Sequence, residues 1–228
     1  VERVGRGGTF TLFETEEEAM NLEPIELPKP SFGRCKSLAQ ALRQRKTIRE
    51  INARRLSPRM LSNLLWAAYG INRVVGPFGI PGRTASSASN SQEIDLYVAM
   101  EQGVYLYDAP RHKLAPVVEG DLRRLAINEG QADLVADAPV DLIYVVDIDR
   151  LSHTSGYQEP GLRDPDVRKS YYFVDTGLIA GNVYLFAAST GLAAWFHNCN
   201  KPALAKKLRL RRSQRVLFGQ TVGYPAAK

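Results

Sequence analysis

Within seven residues, Arg43-Gln44-Arg45-Lys46-Thr47-Ile48-Arg49, the chain gathers four cations and a hydroxyl. A phosphate prefers several fixed donors. Arginine offers it a planar fork, lysine a point charge and threonine a hydroxyl. By itself the heptapeptide reads equally well as a solvated basic helix end, because Lys and Arg favour C-terminal turns through the helix dipole. His197 and Cys199 are ligand types close in sequence, but no third metal ligand accompanies them, and a packed histidine is the simpler reading. The cysteines, Cys35 and Cys199, make neither a disulfide framework nor a zinc spacing. No Gly-x-Ser-x-Gly, phosphate-binding glycine loop or His-Glu-x-x-His occurs, so no side chain is nominated as a catalytic acid or base. Tyr157 is a candidate proton donor only.

The elements that carry these residues follow from caps and periodicity. Ser37 caps a helix whose Leu38, Ala41 and Leu42 share a face, and this helix delivers the basic run. Ser57-Pro58 opens a second helix with an apolar stripe of Met60, Leu61, Leu64, Leu65 and Ala68, ended by Gly70. Residues 72–91 read as a long loop rich in Gly, Pro and Ser. Ile94–Met100 and Val104–Tyr107 read as a hairpin around Glu101-Gln102-Gly103, with a third short strand over His112–Val118. A helix is expected from Asp121 through Leu125. Val140–Ile148 is apolar enough for an interior strand, and residues 149–165 read as a polar loop. A long helix is expected from about Asp166 to Thr190, closed by Gly191. Leu192–His197, Lys201–Leu208 and Val216–Gly223 read as strand, helix and strand. Residues 1–34 hold Gly5, Gly7, Gly8, an acidic run from Glu14 to Glu18 and Pro24, Pro28 and Pro30. They form an irregular arm unable to build its own core. The expected architecture is therefore α+β, with helices flanking one sheet.

Composition narrows the classes. At 228 residues, 44% hydrophobic and 24% charged, the chain can bury a substantial core. A net charge of +6 suits a phosphorylated ligand but is too mild and too dispersed for a nucleic-acid module. The late basic cluster Arg209, Arg211, Arg212 and Arg215 has no interleaved aromatics and reads as a solvated helix end and turn. Tyr171–Phe196 is long and apolar, but a central Asp175 argues for a buried helix and strand rather than a membrane span. The compartment stays open between cytoplasm and, with an export signal ahead of Val1, periplasm.

Taken in order, these residues resemble the nitroreductase family. Arg45-Lys46-Thr47-Ile48-Arg49 is similar to its opening Arg-Arg-Ser-x-Arg motif, and Ser87-Ala88-Ser89-Asn90-Ser91-Gln92 to its serine-rich loop ending in Asn-x-Gln. Asp175-x-Gly177, Asn182 and Gly191-Leu192 match its long central helix, and Val222-Gly223-Tyr224-Pro225 its usual ending. Arg83-Thr84-Ala85 and the hairpin Gly103–Asp108 are similar to the branch containing SagB-type dehydrogenases. The resemblance runs from about Ser37 to the end and rests on motif order rather than on any one motif. The chain departs from the family at Lys46, at Thr47, at Ser86 where proline is usual, and at Phe196-His197-Asn198-Cys199 where glycine usually ends the strand.

The resemblance implies a mainly antiparallel central sheet flanked by helices, in an intertwined homodimer. Residues 35–228 would be the domain that binds FMN at the subunit interface. Arg45, Lys46 and Thr47 would hold the phosphate, with Lys228 within reach of it. Arg49 would lie near the N1/O2 edge of the ring, where a cation stabilises the reduced form. Asn90 would bond the ring or ribityl chain, and Ser87 would approach from the partner subunit. His197-Asn198-Cys199 would run beside N5 and offer backbone groups. The implied activity passes hydride equivalents from NAD(P)H or another donor to an electron-poor acceptor such as a nitroaromatic or quinone. Two other readings stand beside it: a SagB-like flavin dehydrogenase or oxidase of a peptide or small molecule, and a flavin-binding protein without turnover. For Arg49 a salt bridge to Glu50 is an equal alternative at this stage.

Overall fold

The computed structural model describes residues 21–33, 35–134, 137–154 and 161–227. Its strands are β1 (Ile25–Glu26), β2 (Ile71–Arg73), β3 (Gly82–Arg83), β4 (Ile94–Met100), β5 (Gly103–Asp108), β6 (Lys113–Glu119), β7 (Val140–Asp147), β8 (Ala193–His197) and β9 (Gln214–Gly223). Its helices are α1 (Leu38–Gln44), α2 (Pro58–Tyr69), α3 (Ile148–Ser152), α4 (Pro165–Thr190) and α5 (Lys201–Lys207). Seven strands form one sheet in the order β1-β6-β5-β4-β7-β9-β8, and every pairing in it is antiparallel. β2 and β3 make a separate ribbon.

Side-chain alternation assigns the two faces. Leu96 and Val98 of β4 and Leu142, Tyr144 and Val146 of β7 face the core shared with α2 and α4. Tyr97, Ala99, Ile143 and Val145 face the opposite core with Leu204 and Leu208 from the α5 region. Every residue of β7 is buried, as a strand covered on both faces requires.

The caps act where they were expected. Ser37 and Gln40 form a capping box on α1. Ser57 accepts from the Met60 amide at the start of α2, and Gly191 closes α4 at φ 80°. α4 packs along both α1 and α2. It carries buried Asp175, and no described helix is long and apolar enough to cross a membrane.

Four expectations are corrected. Residues 72–91 are not one open loop: β2, β3 and two 3-10 turns, Pro77–Gly79 and Ala88–Asn90, organise them. The helix expected from Asp121 shrinks to the 3-10 turn Arg123–Leu125, because Arg123 folds back to bind Asp121 through Nε and Nη2. Residues 149–165 begin inside α3, which Asp147 caps through the Asp149 amide. The N-terminal arm is not wholly irregular. Ile25 and Glu26 pair with β6 as the edge strand, and Leu22 and Leu27 are buried. The stretch from 25 to 31 is fastened to α2, where Ser62 Oγ bonds the Pro28 carbonyl and Asn63 Nδ2 the Ser31 carbonyl. Residues 1–20, with the acidic run, lie outside the described residues.

Candidate functional site

The basic run lies along the outer edge of β8. Ser37 starts α1, α1 ends at Gln44, and the chain then crosses extended toward the sheet, where the Ile48 amide donates to the Ala194 carbonyl at 3.1 Å. Tyr184 of α4 is the hub of this crossing. Its hydroxyl accepts from the Phe196 amide at 2.8 Å and bonds Thr47 Oγ1 at 3.2 Å, and the Arg45 guanidinium lies 5.5 Å over its ring. Arg49 lies 5.2 Å over the Trp195 ring. Arg45, Lys46 and Arg49 are exposed, and among the described residues none of them meets a carboxylate at ion-pair distance. Four cations on one short segment repel one another, and an anion relieves that repulsion. Just beyond, the Asn52 amide donates to Tyr224 and the Ala226 amide to Glu50. The C-terminal end thus returns to this segment, although Lys228 is outside the described residues.

The serine-rich loop is built separately. Ser89, Asn90 and Gln92 adopt left-handed backbone at φ 49°, 55° and 51°. The loop binds itself: Ser87 Oγ accepts from the Gln92 amide, and Asn90 Nδ2 donates to the carbonyls of Pro77 and Ile80. Asn90 Oδ1 accepts from Gln92 Nε2 at 3.1 Å. Arg83 supports the loop from below, donating to Gln92 Oε1 and the Tyr69 carbonyl with its guanidinium 4.3 Å over the Tyr69 ring.

Asp175 ties this loop to α4, accepting from the Ala88 amide at 2.9 Å. Burial and then the adjacent Glu93 carboxylate push Asp175 up to about 8, and Glu93 is held in turn by Ser91 Oγ at 2.6 Å. Asp175 is therefore held in its neutral form at neutral pH. Since its folded value lies above the unfolded one, stability is lost as pH rises from about 4 through 8. Asp175→Asn keeps an acceptor for Ala88 and a donor for Glu93 but cannot ionise. Its thermal midpoint is expected to exceed the wild-type value by a few degrees at pH 9 and to match it near pH 5, as thermal melts across pH will show.

The strand that leads past the basic run ends at His197. Ala194 and Phe196 face α4, while Trp195 lies on the other side of the strand. His197 and Cys199 are both buried. Cys199 enters the core beside Tyr97 and Leu204, and desolvation pushes its thiol up to about 11. The side chain at the glycine-replacing position is thereby turned into the protein, which leaves the backbone edge of Asn198-Cys199 unobstructed by it. Asn198 is exposed. Among the described residues no cluster of three or more His, Cys, Asp or Glu could hold a metal.

The structure thus brings Arg45, Thr47 and Arg49 to β8, whose far end carries His197, Asn198 and Cys199. It holds Ser87 and Asn90 at Asp175, roughly 13 Å along α4 from Tyr184 at helical rise. Tyr184 was not anticipated, since a tyrosine inside an apolar helix reads as core. Arg211 is exposed, as expected of a solvated turn, and its Nη2 also reaches Asp147 Oδ2 at 2.5 Å. A cleft of about 310 Å³ lined by Ile25, Leu27, Met100, Glu101 and Val140 contains none of the candidate residues.

Comparison with known proteins identifies the family. Residues 42–224 match the nitroreductase family. A Methanocaldococcus jannaschii protein named as a nitroreductase is 29% identical over 177 residues, covering 75% of this chain and 82% of that one. A Ralstonia eutropha crystal structure, also named as a nitroreductase, has a TM-score of 0.78 and 34% identity over 90% of both chains. The NADPH:FMN oxidoreductase of Vibrio harveyi, solved with NAD+, shares the fold at a TM-score of 0.55 and 18% identity, covering 83% of this chain and 69% of that one. The motif order, the seven-stranded sheet and these matches lead to one assignment: the chain belongs to the nitroreductase family of oxidoreductases.

Proposed function

We propose that the chain is an FMN-dependent oxidoreductase that binds its flavin across β8. The observation that carries this reading is the row of Arg45, Lys46, Thr47 and Arg49 laid along β8 without a carboxylate partner among the described residues. The donor set fits the cofactor: a fork, a point charge and a hydroxyl for a phosphate, and a second guanidinium for a ring that gains negative charge on reduction. When bound, FMN supplies the hydride chemistry. The chain's own residues do the rest. Arg45, Lys46 and Thr47 anchor the phosphate, Tyr184 keeps Thr47 and β8 in register, and the backbone of Asn198-Cys199 borders the ring. NAD(P)H is the proposed donor, and an electron-poor small molecule such as a nitroaromatic or quinone the acceptor.

A homodimer completes the site. Tyr171, Val174 and Leu178 stand exposed on one face of α4, and Leu38 and Leu42 are exposed on α1, which packs against it. An apolar face of this kind suits a second copy. Burial there would bring the partner's serine-rich loop, with Ser87 and Asn90, to the basic run that its own chain holds apart from it.

The test is the absorbance spectrum of the purified protein, with the cofactor identified after heat release. About one FMN per subunit is expected. Colourless protein that takes up no added FMN would end the proposal. Turnover without any nicotinamide would favour the SagB-like reading over the NAD(P)H-driven one. Flavin that is reduced but never reoxidised by an acceptor faster than free flavin would favour a binding protein.

A further inference from the structure

Three adjacent strands place Asp141, Thr221 and His197 in one buried chain of hydrogen bonds. Asp141 of β7 pairs in register with Thr221 of β9, and Thr221 with Trp195 of β8, two residues before His197. His197 Nε2 lies 2.8 Å from Thr221 Oγ1, Thr221 Oγ1 makes a short contact with Asp141 Oδ1, and His197 Nδ1 lies 3.0 Å from the Asn198 carbonyl oxygen. All three residues are buried, with Thr221 at 0% and Asp141 at 1% exposure.

Counting protons decides how the chain works. Its three links need one proton each, and the Asn198 carbonyl can only accept. The ring, the hydroxyl and the carboxyl must therefore bring three between them. Thr221 brings one. The other two are either one on the ring and one on the carboxyl, or two on the ring and none on the carboxyl. In the first arrangement Asp141 donates to Thr221, Thr221 donates to Nε2, and Nδ1–H donates to Asn198. In the second, every donor points the other way between the ring and the carboxylate. Removing one proton leaves one link as two facing lone pairs.

We infer that this chain is a clamp with one removable proton: Asp141 holds the proton, the closed chain fixes the Asn198-Cys199 peptide through the His197 ring, and loss of that proton loosens the peptide. Asp141, Thr221 and His197 are then positioning residues for the edge that borders the flavin, and this functional half rests on the FMN reading above. Electrostatics agree with the placement of the proton. Desolvation pushes Asp141 up to about 7, against the opposing pull of Thr221 and Arg123, while Asp121 adds to the rise. Desolvation pushes His197 down to about 4, with the Asn198 carbonyl acting the other way. Arg123 and Asp121, on the turn below the strand ends, are the charged groups that bear on Asp141. When Asp141 ionises, its carboxylate accepts a hydrogen bond from the Thr221 hydroxyl, which then no longer donates to His197 Nε2, and the Thr221–His197 link fails.

The experiment uses the full-length protein without added flavin, in which three histidines make ring-nitrogen NMR tractable. Between pH 5 and 6 the His197 ring is expected to be neutral and protonated on Nδ1. The ring signals and the Cys199 amide are expected to shift together with a midpoint near 7, and the shift is expected to vanish in Asp141→Asn, whose amide mimics the protonated acid. Thr221→Ser is expected to keep the midpoint. A ring protonated on Nε2, or a Cys199 amide indifferent to pH in wild type, would overturn the clamp whether or not FMN binds. With FMN added, affinity is expected to fall about tenfold across the same midpoint in wild type and to stay level in Asp141→Asn, the scale of one hydrogen bond. Flat affinity alongside the expected NMR behaviour would remove the flavin half. Protein that takes up no FMN at any pH would count against the FMN reading alone.

Discussion

Replacing Arg45 with alanine is expected to weaken FMN binding by one to two orders of magnitude while leaving the fold nearly as stable as wild type. The side chain is exposed, and its described contact is the face of the Tyr184 ring. An exposed cation–π contact contributes about 0.5–1 kcal/mol, so the melting midpoint falls by only a few degrees. The helix end itself is unaffected, because the backbone amide of Arg45, not its guanidinium, bonds the Ala41 carbonyl. A charge-assisted bond to phosphate contributes about 1.5–3 kcal/mol, which corresponds to roughly 10- to 150-fold in affinity. Binding therefore moves far more than stability. Arg45→Lys keeps the charge but loses the fork, and an intermediate affinity is expected. Titration of FMN into flavin-free protein, followed by fluorescence quenching, makes the comparison. An affinity within twofold of wild type for Arg45→Ala would take this residue out of the phosphate site.

Gly219→Ala is expected to be the most damaging single-methyl change near the site. Gly219 pairs with His197 across β9 and β8. An added Cβ would lie 2.1 Å from the Ala126 carbonyl oxygen and 2.8 Å from His197 Cε1. Neither neighbour can yield cheaply, since one is backbone and the other is the ring held by Thr221 and Asn198. Replacing Gly by Ala gains about 0.4–1 kcal/mol through the unfolded chain, whereas overpacking a tight core costs about 1–3 kcal/mol and occasionally more. The clash wins. A loss of about 2 kcal/mol or more in chemical denaturation is expected, together with weakened FMN binding, because β8 must shift to make room. Unchanged stability would mean that β8 and the turn at Ala126 separate freely.

What the amino-acid sequence determined by itself was local and periodic. Ser37 and Ser57 cap helices through their own hydroxyls, Gly191 supplies a left-handed residue, and the alternation in β4 and β7 assigns two faces. Each of these signals depends on residues within a few positions of one another, so the chain's order carries them. Motif order carried the family for the same reason. The sequence also marked Arg45, Thr47 and Arg49 as anion-binding types, but it could not separate a site from a solvated helix end.

Tertiary structure decided where the run lies: along β8 and against Tyr184, a contact spanning 137 positions between Thr47 and the tyrosine. It also decided where the side chains at the end of β8 go. His197 reads as a core histidine from sequence, but its partners, Thr221 and Asp141, come from two other strands, and strand order is a long-range property. The edge strand at Ile25–Glu26 was illegible because two residues have no period; only β6 opposite them makes a strand. The helix expected at Asp121 failed for a related reason: Asp121 and Arg123 bind each other, and that local bond closed a turn before the helix could extend.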